Sequence, residues 1–169
     1  IRCFSLFCLV FFCSRENVYL LFYILVQLFQ FAEQCAWLIT NYNFDGIDIV
    51  WKYPKTSEDM TNYGMLLQAI RQELNELEAL HGNGAKYGLT ASMPCGTAID
   101  YNLGHQIPNF DNVLTEMNLD TMNFHGKSKT AGFNAPLYTR TDDVDYTSVN
   151  GCVLQYLQNG ASRSKINVG

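Results

Sequence analysis

The residues best placed to do chemistry lie in one stretch, Phe44-Asp45-Gly46-Ile47-Asp48-Ile49-Val50-Trp51-Lys52-Tyr53-Pro54. Two carboxylates and an ammonium at this spacing are the ingredients of acid–base work, or of hydrogen bonding to a polar ligand. Side chains on a strand alternate between faces, so Ile47, Ile49 and Trp51 share one face while Asp48, Val50 and Lys52 share the other. Charge on an inward face is costly unless it is paired or used. Tyr53 is the better aromatic ligand candidate, because Trp51 lies on the greasy face and is expected to pack against helices. The competing structural reading has Asp48 accepting buried hydrogen bonds and Lys52 snorkelling to solvent at the strand's end. None of His81, His105 and His125 is assigned to catalysis: the first ends a helix, the second has no chemical partner nearby, and the third serves a turn.

The surrounding elements must hold this strand. Phe31, Cys35, Leu38 and Ile39 recur at helical spacing over 31–40, and Asn41-Tyr42-Asn43 breaks the pattern before the strand. Leu66, Leu67, Ile70, Leu74 and Leu77 predict a long amphipathic helix over 59–81, with Thr56 or Ser57 as its cap and Gly82 and Gly84 as its stop. A second strand is expected over 86–93, ended by Pro94. A helix carrying Ile107, Phe110, Val113 and Leu114 follows, then a strand over 117–124, a helix over 148–157 and the start of a strand at 165–168. Strands alternating with helices imply a parallel sheet with helices outside, hence the α/β class. Periodicity does not choose between an open sheet and a barrel, but charge along an inward strand face favours a barrel, where function gathers at the carboxyl ends of the strands.

The chain has 169 residues, 48% hydrophobic and 16% charged, enough for one domain with a real core. A net charge of −5 without a Lys/Arg cluster argues against nucleic acid. No Cys-x-x-Cys pair and no histidine at ligand spacing is present, so no structural zinc is expected. Of Cys35, Cys95 and Cys152, at most two can bridge one another. Residues 1–28 form a separate apolar segment, with 29–169 as the domain proper. Its runs Phe4–Cys13 and Val18–Val26 are shorter than the roughly 20 residues a membrane span needs. The first resembles the apolar region of a signal peptide; the alternatives are a buried segment or sequence foreign to the mature domain. No membrane partner is expected unless this segment anchors the chain.

Asp45-Gly46-Ile47-Asp48-Ile49-x-Trp51-x-Tyr53-Pro54 resembles the signature strand of the family 18 glycoside hydrolases, the chitinase family, written Asp-Gly-x-Asp-x-Asp-Trp-Glu-Tyr-Pro. Leu89-Thr90-Ala91-Ser92-Met93-Pro94-Cys95-Gly96 looks like the family's next strand, and Gly132-Phe133-Asn134-Ala135-Pro136-Leu137-Tyr138 like its Gly-x-Asn-Ala-Pro-Leu-Tyr segment. Ser164-Lys165-Ile166-Asn167-Val168-Gly169 resembles its Ser-Lys-Ile-x-x-Gly strand opening. The resemblance implies a parallel (β/α)₈ TIM-type barrel, of which a whole example takes roughly 250 residues. This chain is therefore expected to form an incomplete barrel, about strands four to seven, with exposed sheet edges that invite association.

Family 18 enzymes use the substrate's own N-acetyl group as nucleophile. By position, the general-acid glutamate falls at Lys52 and the aspartate that orients the acetamido group at Val50, while the outer aspartates remain as Asp45 and Asp48. A second pattern, Leu-Met-x-Tyr-Asp-Phe-His-Gly, lies over Leu119-Asp120-Thr121-Met122-Asn123-Phe124-His125-Gly126, turning its tyrosine into Met122 and its aspartate into Asn123. Trp51, Tyr53 and Met93 complete the candidate substrate contacts. A positioned general acid is worth about 10²–10⁴ in rate, and an alkylammonium holds its proton too firmly to replace a tuned carboxyl. Asp48 lies about 13 Å from Lys52 along an extended strand, so it does not take over.

The resemblance thus implies a secreted, chitinase-like domain that binds chitin or N-acetylglucosamine oligosaccharides, without cofactor or metal, and with hydrolysis lost. The alternatives are an active chitinase with a rewired acid, and a truncated or self-associating fragment.

Overall fold

A computed structural model of the chain describes residues 5–7, 18–52, 54, 56–82, 84–96, 101–125, 132–140 and 147–169. Its strands are β1 (Ser5–Phe7), β2 (Gly46–Val50), β3 (Gly88–Met93), β4 (Glu116–Leu119) and β5 (Ile166–Val168). Between them run α1 (Val18–Tyr42), α2 (Ser57–His81), α3 (Tyr101–Val113) and α4 (Val149–Gln158), with a 3₁₀ turn over Arg163–Lys165 leading into β5.

All neighbouring strands are parallel and their order in the sheet is their order in the chain, β1-β2-β3-β4-β5. Each crossover therefore advances by one strand in the same direction. That is how a barrel winds, whereas a doubly wound sheet reverses at a switch point. The helices accordingly share one face of the sheet. Ile47 and Ile49 of β2, Leu89, Ala91 and Met93 of β3, and Met117 and Leu119 of β4 join one buried cluster with residues of all four helices.

The helices form where their apolar residues recur every three or four positions. On α2 the buried positions include Met60, Tyr63, Leu67, Ile70, Leu74 and Leu77. Thr56 caps it: its hydroxyl accepts from the Asp59 amide, and the Asp59 carboxylate accepts from the Thr56 amide, each at 3.0 Å. The helix stops at Gly82, whose φ of 59° favours glycine. On α1, Ala32, Cys35 and Ile39 face the core. Burial pushes the Cys35 thiol up to about 12.

Three expectations change. First, α1 starts at Val18, well ahead of the helix expected over 31–40, since no glycine or proline occurs between 18 and 42 to stop it. Among the described residues, no helix is long and apolar enough to cross a membrane. Second, a short strand, Ser5–Phe7, pairs with Asp48–Val50, where no strand was expected. Third, β4 ends at Leu119 instead of continuing to 124. The Asp120 amide still reaches the Met93 carbonyl at 2.8 Å, but the Thr121 amide turns back to Leu119 and Asn123 takes a φ of 66°. A left-handed residue ends an extended ladder.

Gly46 is fixed by close approach: a Cβ there would lie 2.3 Å from the Gly88 carbonyl oxygen, where β2 and β3 begin side by side. At the carboxyl ends, a disulfide joins Cys95 to Cys152 of α4, and Tyr156 of the same helix donates to the Pro94 carbonyl at 2.8 Å. Cys35 is the remaining thiol among the described residues.

Candidate functional site

The face of the sheet turned away from the helices carries a polar row, built by the register of the strands. Asp48 stands opposite Thr90, and Asn118 opposite both Ser92 and Asn167. Asp48 Oδ1 accepts from the Thr90 hydroxyl at 2.5 Å and from Asn118 Nδ2 at 3.0 Å. Asn167 Nδ2 then donates to Asn118 Oδ1 at 3.1 Å and to Glu116 Oε2 at 2.6 Å. One hydrogen-bonded chain thus crosses four strands from β2 to β5. Asp48 is an acceptor within this chain, as the structural reading expected, and its charge is spread over donors from β3 and β4.

Past the carboxyl end of β2, Lys52 Nζ lies 3.0 Å from Asp120 Oδ2, with the lysine side chain 56% exposed and the aspartate side chain 11%. Lys52 therefore does not simply trail into solvent. The residue that the family signature aligns with its general acid is thus paired with a nearly buried carboxylate. Val50, at the position of the acetamido-orienting aspartate, is half-buried on the same strand and has no polar atom to offer.

The remaining expected site residues spread out. Asp45 sits at the amino end of β2, where its carbonyl accepts from the Gly88 amide at 2.9 Å; it is at the opposite end of the strand from Lys52. Met122 is 52% exposed and Asn123 is also exposed, both beyond the end of β4. Their stretch is tied to 132–134: the Phe124 amide donates to the Asn134 carbonyl at 3.0 Å, and His125 Nδ1 bonds the Phe133 carbonyl at 2.9 Å. His81 Nδ1 bonds the Tyr87 hydroxyl at 2.6 Å. Tyr53 lies outside the described residues.

Two of the candidate substrate contacts lie on the helix side of the sheet, which was the expectation for Trp51 and was not for Met93. Met93 is fully buried on the helix side of β3, because period-two alternation places it with Leu89 and Ala91. Trp51 packs against the core and meets Tyr63 edge-to-face, with centroids 5.5 Å apart. Tyr63 donates to the Ile49 carbonyl at 3.4 Å, and burial together with the Asp48 charge pushes its phenol above the ordinary range. Both Met93 and Trp51 therefore serve packing.

Sequence reasoning missed Thr90, Asn118, Asn167 and Asp120. The first three were within reach of strand alternation, each lying on the same face as Asp48. Asp120 had a subtler signal: the family pattern writes methionine at its position. Among the described residues, no group of three or more His, Cys, Asp and Glu is arranged to hold a metal.

The glycosyl hydrolases family 18 model matches residues 27–169. Endochitinase 1 of Metarhizium robertsii is 33% identical over 142 residues, covering 82% of this chain and 33% of the relative. Chitinase from Bacillus thuringiensis, at 28% identity, superposes with a TM-score of 0.74 over 84% of this chain and 24% of that one. A family 18 N-acetylglucosaminidase from Paenibacillus barengoltzii, at 26% identity, gives 0.72 over 82% and 42%. The chain spans about a third of the length of the Metarhizium relative. A family match over residues 27–169, together with the sequential parallel sheet of a barrel, places this chain in glycosyl hydrolase family 18.

Proposed function

We propose that this chitinase-like domain binds chitin or N-acetylglucosamine oligosaccharides at the carboxyl ends of its strands and does not hydrolyse them. The observation that carries this reading is the Lys52–Asp120 pair at the general-acid position. An alkylammonium at that position does not replace a tuned carboxylic acid, so about 10²–10⁴ in rate is forfeited there alone. Val50, Met122 and Asn123 compound the loss, since each replaces a polar group that the family pattern supplies. What survives is a row of donors and acceptors suited to sugar hydroxyls.

The Cys95–Cys152 bridge supports a secreted protein, because disulfides persist in oxidising compartments. Calorimetric titration with chito-oligosaccharides, run beside an assay of reducing ends released from the same oligomers, tests the reading. Heat of binding without release is expected. Release above blank would overturn the loss of hydrolysis, and absence of any binding would overturn the ligand.

A further inference from the structure

A strand with an open edge presents a row of unpaired N–H and C=O groups, and a closed barrel removes that liability by giving every strand two neighbours. On β2, the strand that carries Asp48, one edge is covered by β3 over Gly46–Ile49. The other is covered by β1, which pairs in parallel as Ser5 with Asp48, Leu6 with Ile49 and Phe7 with Val50. This second neighbour comes from outside the family match, which starts at residue 27. We propose that the β2 edge over Asp48–Val50 is an acceptor for an extended apolar strand, and that residues 5–7 of this chain occupy it in place of a barrel strand.

Direction, composition and position support the assignment. β1 runs parallel to β2 and continues the order of the sheet, so β1, α1 and β2 form one more βαβ unit of the kind that builds the rest of the chain. Parallel strands covered on both faces read as continuous apolar runs, and from Phe4 to Cys13 only Ser5 is polar. The apolar region of a signal peptide has a similar composition, but it requires no register with a strand of the domain. The pairing falls on the half of β2 that holds Asp48 and Val50. Asp48 thus lies between Ser5 on one edge and Thr90 on the other. Backbone pairing on both edges holds the strand segment from which the Asp48 carboxylate accepts from Thr90 and Asn118.

Amide hydrogen exchange in dilute protein tests the proposal on the full chain, on a chain lacking residues 1–12, and on Leu6→Pro/Phe7→Pro. Successive N–H groups of a strand point to opposite edges, so two adjacent prolines remove whichever one faces β2. Truncation and the proline pair should each speed exchange of the β1-facing amides within Asp48–Val50 by roughly 10-fold or more. Thr90 and Ala91, paired on both edges with β2 and β4, should keep their rates. Leu6→Val/Phe7→Tyr retains the N–H groups and strand propensity and should exchange like the wild type. Where truncation abolishes folding, the proline pair reads the same edge in the full-length chain. Unchanged exchange over Asp48–Val50 in the truncated chain would overturn the proposal and leave the segment as a leader. Acceleration in Leu6→Val/Phe7→Tyr equal to that of the proline pair would also overturn it, because backbone pairing would then not be what protects the edge.

Discussion

Exchanging Lys52 for glutamate restores the family's acid at its own position, yet it should neither restore hydrolysis nor leave stability untouched. In the native pair, opposite charges lie 3.0 Å apart. Unit charges at 4 Å interact by about 1 kcal/mol in water and about 4 kcal/mol at an effective dielectric of about 20. With the lysine side chain 56% exposed, the watery limit applies and the native attraction is about 1 kcal/mol or less. Lys52→Glu removes that attraction and sets two carboxylates side by side, a total swing of about 2 kcal/mol at pH 7. Lys52→Met removes the attraction alone, about 1 kcal/mol.

The pH dependence follows from the same charges. Two close carboxylates raise the pKa of one of them, so the repulsion develops as pH rises through that raised value and fades below it. Urea unfolding of the wild type, Lys52→Glu, Lys52→Met and Lys52→Glu/Asp120→Met should therefore give the lowest midpoint for Lys52→Glu at pH 7. The gap should narrow by pH 4, and stability should recover in the double variant. Equal midpoints for Lys52→Glu and Lys52→Met at pH 7 would refute the pairing. None of these variants should release reducing ends, because Val50, Met122 and Asn123 are still in place.

Removing the Cys95–Cys152 bridge as a double alanine variant should cost about 4 kcal/mol by loop-closure entropy over a separation of 57 residues, read by denaturant unfolding; a cost below about 1 kcal/mol would refute it. Burial alone would raise the Glu78 carboxyl, but hydrogen bonds from Lys86 and the Tyr87 amide, with the Lys86 and Arg71 charges, hold it below the ordinary range. The stability this gives is full above the unfolded pKa of about 4.3 and is lost as pH falls through the lower folded value, so Glu78→Gln should flatten the acid limb of the stability profile. Burial, then the charges of Glu76 and Glu33, raise the Glu73 carboxyl, so Glu73→Gln should raise the melting temperature at pH 7 and lose that gain in acid. Met93→Ala should cost about 2–5 kcal/mol without altering oligosaccharide affinity at temperatures where it stays folded, as befits a core residue.

Local patterns carried most of the fold. Alternation separated Ile47 and Ile49 from Asp48 and Val50, helical spacing located the buried faces of α2 and α3, and Thr56 was a visible cap, because each depends on residues within a turn or two of one another. Comparison with the family signature located the departures from it at Lys52 and Val50 independently of the fold. Contacts between distant residues were not legible in this way. Pairing Asp48 with Thr90 and Asn118 depends on strand register, and pairing Lys52 with Asp120 depends on where β4 ends, 68 residues away. Met93 and Trp51 shared the motifs of the site, yet both lie on the helix side of the sheet; alternation had already grouped Trp51 with Ile47 and Ile49, whereas the burial of Met93 showed only in the packing. Sequence spacing sets which face a side chain takes, whereas its partner is set by which strands come to lie beside it.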